Sequence, residues 1–77
     1  MSQINDIFPG IKGAEWATYT YLRETDLDRR ISSSEIAHFT TYNPDTIQAA
    51  LRRLESYGVI ERHRDSNGQS YQFRLLI

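Results

Sequence analysis

The side chains best suited to chemistry in this sequence are its arginines. Among residues 29–77 every base is arginine: Arg29, Arg30, Arg52, Arg53, Arg62, Arg64 and Arg74. A guanidinium presents a planar fork that matches phosphate oxygens or the O6 and N7 edge of guanine, where lysine would act as a point charge. Beside Arg52 and Arg53 stand Thr46 and Gln48, a hydroxyl and an amide of the kind that reads base edges. Other chemistries fail on spacing. His38 and His63 lack the HExxH spacing in a chain with no cysteine, so no metal site is expected. Ser32, Ser33 and Ser34 have no spaced His and Asp partners that a helix cap would not explain better. Asp26-Leu27-Asp28 is followed by Arg30 where a calcium loop needs another oxygen ligand. Trp16, Tyr19 and Tyr21 could form a stacking platform, but at helical spacing in so small a domain they read as core. The chain is therefore read as a non-enzyme without cofactor or metal.

Length and charge bound the scaffold. Seventy-seven residues make one domain, near the size where nearly every apolar residue is needed for the core, with an expected stability of about 4 to 12 kcal/mol. The absence of cysteine removes disulfides and thiolate zinc cages and suits a cytoplasmic module. No run approaches the length of a membrane span, and the N-terminus lacks the pattern of a secretory signal. The net charge of −1 and pI near 6.0 argue, as totals, against a nucleic-acid partner. The distribution argues otherwise. Residues 1–28 carry two bases and five acids, whereas residues 29–77 carry seven arginines and five acids.

The elements that must position these arginines follow from period and punctuation. Ile4, Ile7, Phe8 and Ile11 have helical spacing, but Pro9 and Gly10 interrupt them, which leaves a short N-terminal turn or helix. From Gly13 to about Thr25 a first helix is predicted, with Ala14, Trp16, Ala17, Tyr19, Tyr21 and Leu22 as its apolar residues, and the acids Asp26 and Asp28 mark its exit. Arg29-Arg30-Ile31 is a candidate short strand. Ser32 and Glu35 have the spacing of a reciprocal capping box and open a brief second helix through Ile36, Ala37, His38 and Phe39. Asn43 as N-cap and Pro44 at the first helical position open a third, whose Ile47, Ala50, Leu51 and Leu54 form one apolar stripe. Gly58 ends it near Tyr57. The period then changes to two: Val59 to Asp65 and Gln69 to Ile77 read as strands about a Ser66-Asn67-Gly68 turn, with Tyr71, Phe73, Leu75 and Ile77 on one face.

This order is that of a winged helix-turn-helix, an α+β fold with a three-helix core and a C-terminal two-stranded β-hairpin wing. The division is one domain over 1–77, with 1–12 an N-terminal extension, 13–57 the three helices and 58–77 the wing hairpin. In that geometry the later of the paired helices lies in the DNA major groove and the hairpin reaches a neighbouring groove or phosphate. Thr46, Gln48, Ala49 and Arg52 are expected to meet base edges, because Ile47, Leu51 and Leu54 must face the core. Gln48 is the candidate reader of adenine, and Arg52 or Arg53 of guanine or phosphate. At about 100° apart on the helix, only one of these two arginines is expected to face DNA, the other pairing with Glu55 or Asp45. Arg62 and Arg64, two residues apart on a strand, with Gln69 near the tip, are expected to hold phosphates. Thr41, Tyr42, Asn43 and Asp45 at the helix entry complete the candidate surface. So do Asn67 and Gly68, which read mainly as turn chemistry although a wing tip can enter the minor groove.

The pair Ile36-Ala37 with Ile47 eleven residues beyond Ile36, the stretch from Thr46 to Glu61, and Asn67-Gly68-Gln69 followed by Tyr71 resemble bacterial winged helix-turn-helix domains. The resemblance covers about residues 13–77 and is nearest to the domains of plasmid and phage replication initiators and of small transcriptional regulators. It implies sequence-specific binding of double-stranded DNA, and because one module of this size buries too little for tight binding alone, a homodimer or repeated sites are expected. Two positions depart from the pattern. Thr41 stands where glycine is usual, which implies a less tight turn, and Ala49 where related regulators often carry a long polar or basic residue. A second reading is a protein-interaction module of a replication or transcription complex. It would dock a partner through the acidic first helix, the apolar N-terminal residues or the wing. The hairpin strand reaches the last residue, Ile77, which leaves room for the chain to be one module of a longer protein.

Overall fold

The computed structural model describes residues 13–64 and 70–76. The expectations for 1–12, for the turn at 65–69 with Asn67, Gly68 and Gln69, and for Ile77 lie outside these residues. Among the described residues three helices are followed by an antiparallel hairpin: α1 (Ala14–Glu24), α2 (Ser33–Thr40), α3 (Pro44–Ser56), β1 (Ile60–Arg64) and β2 (Tyr71–Leu75).

The stripe that α1 buries is Glu15, Thr18, Tyr19 and Leu22, shifted from the apolar set that the sequence suggests. Trp16 and Tyr21 are half-buried at its edges. Two polar residues enter the stripe, and only one has a partner among the described residues. Glu15 meets Arg53 of α3, with 3.0 Å between Oε1 and the guanidinium; the buried Thr18 hydroxyl has no partner among the described residues, and nothing in the structure explains it. Beyond α1 the Asp26 carboxylate accepts from the Asp28 amide at 2.9 Å, a turn in which the side chain replaces a backbone acceptor.

Ser32 caps α2, its hydroxyl accepting from the Glu35 amide at 3.1 Å. The return half of the expected capping box is replaced, because the Glu35 carboxylate instead accepts from the Arg29 guanidinium, at 2.9 Å for one nitrogen, and from the Tyr21 hydroxyl. Arg29, and to a lesser degree Tyr21, holds the Glu35 carboxyl below the usual carboxylate range, against the opposing effect of burial. The same contacts raise the Arg29 pKa further above its ordinary value.

The two turns around α3 both use a left-handed residue. At the first, Thr41 has φ 65°, so the turn keeps the geometry that glycine usually supplies and is not the looser turn predicted. A β-branched residue holds it under strain, at a cost on the order of 1 kcal/mol or more, while its hydroxyl donates to the Thr40 carbonyl at 2.6 Å. Asn43 then caps α3, accepting from the Thr46 amide at 2.8 Å. At the second turn Gly58 has φ 75°. Its amide donates to the Glu55 carbonyl and that of Val59 to the Leu54 carbonyl, both at 3.0 Å, the paired bonds of a Schellman motif. Val59 and Leu54, fully buried, supply the apolar contact that accompanies it.

The hairpin pairs Ile60 with Leu75, Arg62 with Phe73 and Arg64 with Tyr71. Ile31 adds a bridge on the other edge of β2, exchanging two 2.9 Å hydrogen bonds with the Tyr71 backbone, so the short strand expected at 29–31 narrows to this residue. Leu22, Ile31, Ile36, Ile47, Leu51, Leu54, Val59 and Ile60 are fully buried, with Tyr19, Tyr71 and Phe73 beside them. Each such aliphatic side chain contributes about 1.5 to 3 kcal/mol by leaving water. One core thus fixes α3 and the hairpin to the same body.

Candidate nucleic-acid interface

The surface of α3 divides into three strips. Ile47, Ala50, Leu51 and Leu54 are buried. At about 100° per residue the opposite direction falls on Asp45, Ala49, Arg52 and Ser56, of which Asp45, Arg52 and Ser56 are exposed and Ala49 half-buried. Thr46 and Arg53 flank this ridge on the α1 side, and Gln48 and Glu55 flank it on the hairpin side. The turn residues Thr41, Tyr42 and Asn43, just ahead of α3, are exposed.

Arg52 has no ion-pair partner among the described residues. Arg53 does, and the partner is neither Glu55 nor Asp45, as expected, but Glu15 of α1. The reason is direction: Arg53 leans across an open groove of about 380 Å³ lined in part by Glu15, Asp45, Thr46 and Ala49. Its side chain stays 67% exposed while that of Glu15 is 10% exposed, so Arg53 pairs with a nearly buried carboxylate and remains largely in solvent.

Gln48 and Arg62 differ most from expectation. The Gln48 amide nitrogen donates to the Tyr71 hydroxyl at 2.8 Å and to the Ser33 hydroxyl at 3.1 Å, and its carbonyl oxygen accepts from Arg62 at 3.0 Å. The amide thus faces the hairpin and not the outer ridge where a reader of adenine was expected. Arg62 is 9% exposed, with its Nε 2.8 Å from Glu55 and its guanidinium carbon 4.8 Å from the centre of the Tyr71 ring. It is thereby folded into the domain, between α3 and β2, with three intramolecular partners. The pairing parity explains this. Arg62 lies opposite Phe73, and Ile60 opposite Leu75, so the cross-strand partners of Arg62 and Arg64 belong to the face that carries the apolar side chains. Arg64 does share the side of Arg62, as expected, and at the outer end of β1 it is exposed. The other face of the hairpin carries Glu61, His63, Gln72 and Arg74. There the Gln72 amide donates to the Leu27 carbonyl at 2.7 Å and His63 lies 3.2 Å from Glu61.

The arrangement offers an exposed helix ridge with a carboxylate, a methyl group, a hydroxyl and a guanidinium that has no ion pair among the described residues, preceded by a polar turn and accompanied by a hairpin with an exposed arginine. Such a ridge can enter a groove of nucleic acid and make base-edge contacts. Among the described residues no group of three or more potential ligands gathers as a metal site, and no helix is long and apolar enough to cross a membrane.

No protein-family model and no curated protein matches the chain. Solved structures do. MepR, a transcription regulator of the Staphylococcus aureus multidrug efflux pump MepA, superposes with a TM-score of 0.72 at 21% identity, over 94% of this chain and 50% of that one. A transcriptional regulator of the MarR family from Silicibacter pomeroyi gives 0.73 at 20% identity, over 92% and 46%. The S. aureus MepR–DNA complex gives 0.71 at 22% identity, over 92% and 52%. The chain therefore spans about half the length of the regulators it matches. With three helices among the described residues, a left-handed turn before the third and a two-stranded hairpin after it, the chain has the winged helix-turn-helix fold of these regulators.

Proposed function

We propose that the chain is the DNA-binding module of a transcriptional regulator, placing α3 in the major groove of a specific duplex site and the hairpin wing on the adjoining backbone. The observation that supports this best is the outer ridge of α3, which keeps Asp45 and Arg52 exposed and without an ion pair among the described residues, while the polar residues on the helix flanks have a structural partner or a half-buried position. Three of the ridge residues have natural counterparts: the Asp45 carboxylate accepts from cytosine N4, the Ala49 methyl packs on thymine C5-methyl, and Arg52 forks onto guanine. Thr41, Tyr42, Asn43 and Thr46 at the entry, and Arg53 and Arg64 at the margins, are the candidate backbone contacts. The neighbours named above are regulators, one of them solved with DNA, which favours regulation over the replication-initiator role that the sequence pattern also allowed.

A single module of this size buries too little surface for tight binding, so the functional unit is expected to be two copies, or one copy on each of two repeated sites. Selection of bound duplexes from a random pool tests the reading. The expected result is an enriched half-site containing a G·C pair, repeated about one helical turn away, with affinity that falls steeply as salt rises. A pool that stays unenriched, with weak binding insensitive to salt, overturns it.

A further inference from the structure

Through one side chain, Gln48 joins four elements of the fold. Its two amide hydrogens go to Ser33, the first residue of α2, and to Tyr71 of β2, and its oxygen accepts from Arg62 of β1. A guanidinium can only donate, so Arg62 fixes the amide oxygen toward β1 and leaves both N–H groups for the hydroxyls of Tyr71 and Ser33. Arg62 is pinned in turn by three different contacts, the charge-assisted bond to Glu55 of α3, the bond to Gln48 and the face of the Tyr71 ring. At 9% exposure it has little water to turn to if any of these breaks. The Tyr71 backbone is meanwhile held by Ile31. A rotation of the hairpin relative to α3 would therefore break charge-assisted bonds from a nearly dry guanidinium, which cost more to lose than neutral ones in water.

We propose that Gln48, Arg62 and Tyr71 are positioning residues for DNA recognition: they lock the angle between the reading helix and the wing, so that one rigid body meets groove and backbone together, and they contact neither base nor phosphate. This rests on the functional reading above. It assigns to two residues of the expected contact surface a role in specificity exercised through geometry, since a helix and a wing held at one angle engage only a duplex whose groove and backbone match that angle.

The test has an arm without DNA and an arm with it. The chain has no cysteine, so nitroxides attached at Asp45→Cys and His63→Cys report the distance between α3 and the wing in the free protein. The distance distribution is expected to be narrow in the parent and broader in Arg62→Lys and in Tyr71→Phe, each measured on a cooperatively unfolding sample. Equal widths overturn the proposal. On a selected duplex, Arg62→Lys keeps the charge but lacks the planar fork, and it is expected to bind roughly tenfold more weakly with an unchanged salt slope. In that background Arg64→Ala should cost less than it does in the parent, because a loosened wing no longer presents its contact. Parental affinity in Arg62→Lys, together with a salt slope lowered by about one in Arg62→Met, would mark Arg62 as a phosphate contact and overturn the proposal. If the Arg62 variants fail to fold, Tyr71→Phe, which removes one hydroxyl, carries the same distance and non-additivity readouts. A parent chain that binds no duplex defeats the functional reading alone, and the distance widths still decide the lock.

Discussion

On the hairpin side of α3, Gln48 and Glu55 close bonds with Ser33, Tyr71 and Arg62, whereas on the outer ridge of the same helix Asp45 and Arg52 stand exposed without an ion pair among the described residues. The side chains are of similar kinds, charged or polar, and only a few tens of degrees separate the two strips. The neighbouring element makes the difference: one strip meets a hairpin that offers a guanidinium and a phenol, and the other meets solvent. A polar residue on such a helix becomes available to a ligand only where no part of its own fold has already satisfied it.

The contrast can be broken most forcefully at Gln48. Gln48→Ala leaves the Tyr71 and Ser33 hydroxyls and the nearly buried Arg62 short of partners, and unfolding in denaturant should show a loss of about 2 to 3 kcal/mol. Arg52→Ala is the opposite case. Its unfolding midpoint should stay within the range of ordinary surface changes, about 0.5 kcal/mol, while affinity for the selected duplex falls on the order of tenfold, about 1.4 kcal/mol, and preference relaxes at one base pair. If the two variants behaved alike in both assays, the division of the helix into strips would be wrong. Thr41→Gly relieves the left-handed strain at the entry to α3 without touching either strip. Thermal unfolding should show a gain of up to about 1 kcal/mol, with the Arg52 and Gln48 effects unchanged in its background.

The smallest effect is expected at Glu35, on α2. Its carboxyl is held below the ordinary value of about 4.5 by Arg29 and Tyr21, so the stability it supplies is present above that value and is lost as pH falls through the lower, folded-state one. In Glu35→Gln the decline of stability on the acid side of 4.5 should be shallower than in the parent. A decline of equal slope in urea titrations at stepped pH would show that Glu35 does not titrate with folding.

Much of the architecture is legible in the residues themselves. Asn43-Pro44 and Gly58 mark the ends of α3 because capping and left-handed termination depend on local residue type, and the stripe of Ile47, Ala50, Leu51 and Leu54 follows from period alone. The roles of Gln48, Arg62 and Arg53 were not legible to the same degree, since each depends on a partner that lies 14 to 38 residues away. A signal for Arg62 was nevertheless present: Ile60 must face the core, and two residues on along a strand returns to the same side, which places Arg62 facing inward. Glu15 was missed as a functional neighbour because a charged residue on α1 reads as surface until Arg53 is seen to lean over it. Thr41 shows the reverse error, in which an unfavourable residue type was taken to imply a changed backbone, although the surrounding helices impose the left-handed turn whatever the cost at that residue.

The bridge between Ile31 and Tyr71 joins positions forty residues apart, and closing a loop of that length costs about 3 kcal/mol of chain entropy before any contact offsets it. A two-stranded hairpin is at best marginal in water by itself, so the wing has little existence as a separate folding unit. The packing that makes the wing stable is supplied by α1, α2 and α3 through the shared core and by the Ile31 bridge on its second edge. A wing so dependent on the helical body stands or falls with it, and the surface that α3 and the hairpin form together exists only in the completed domain.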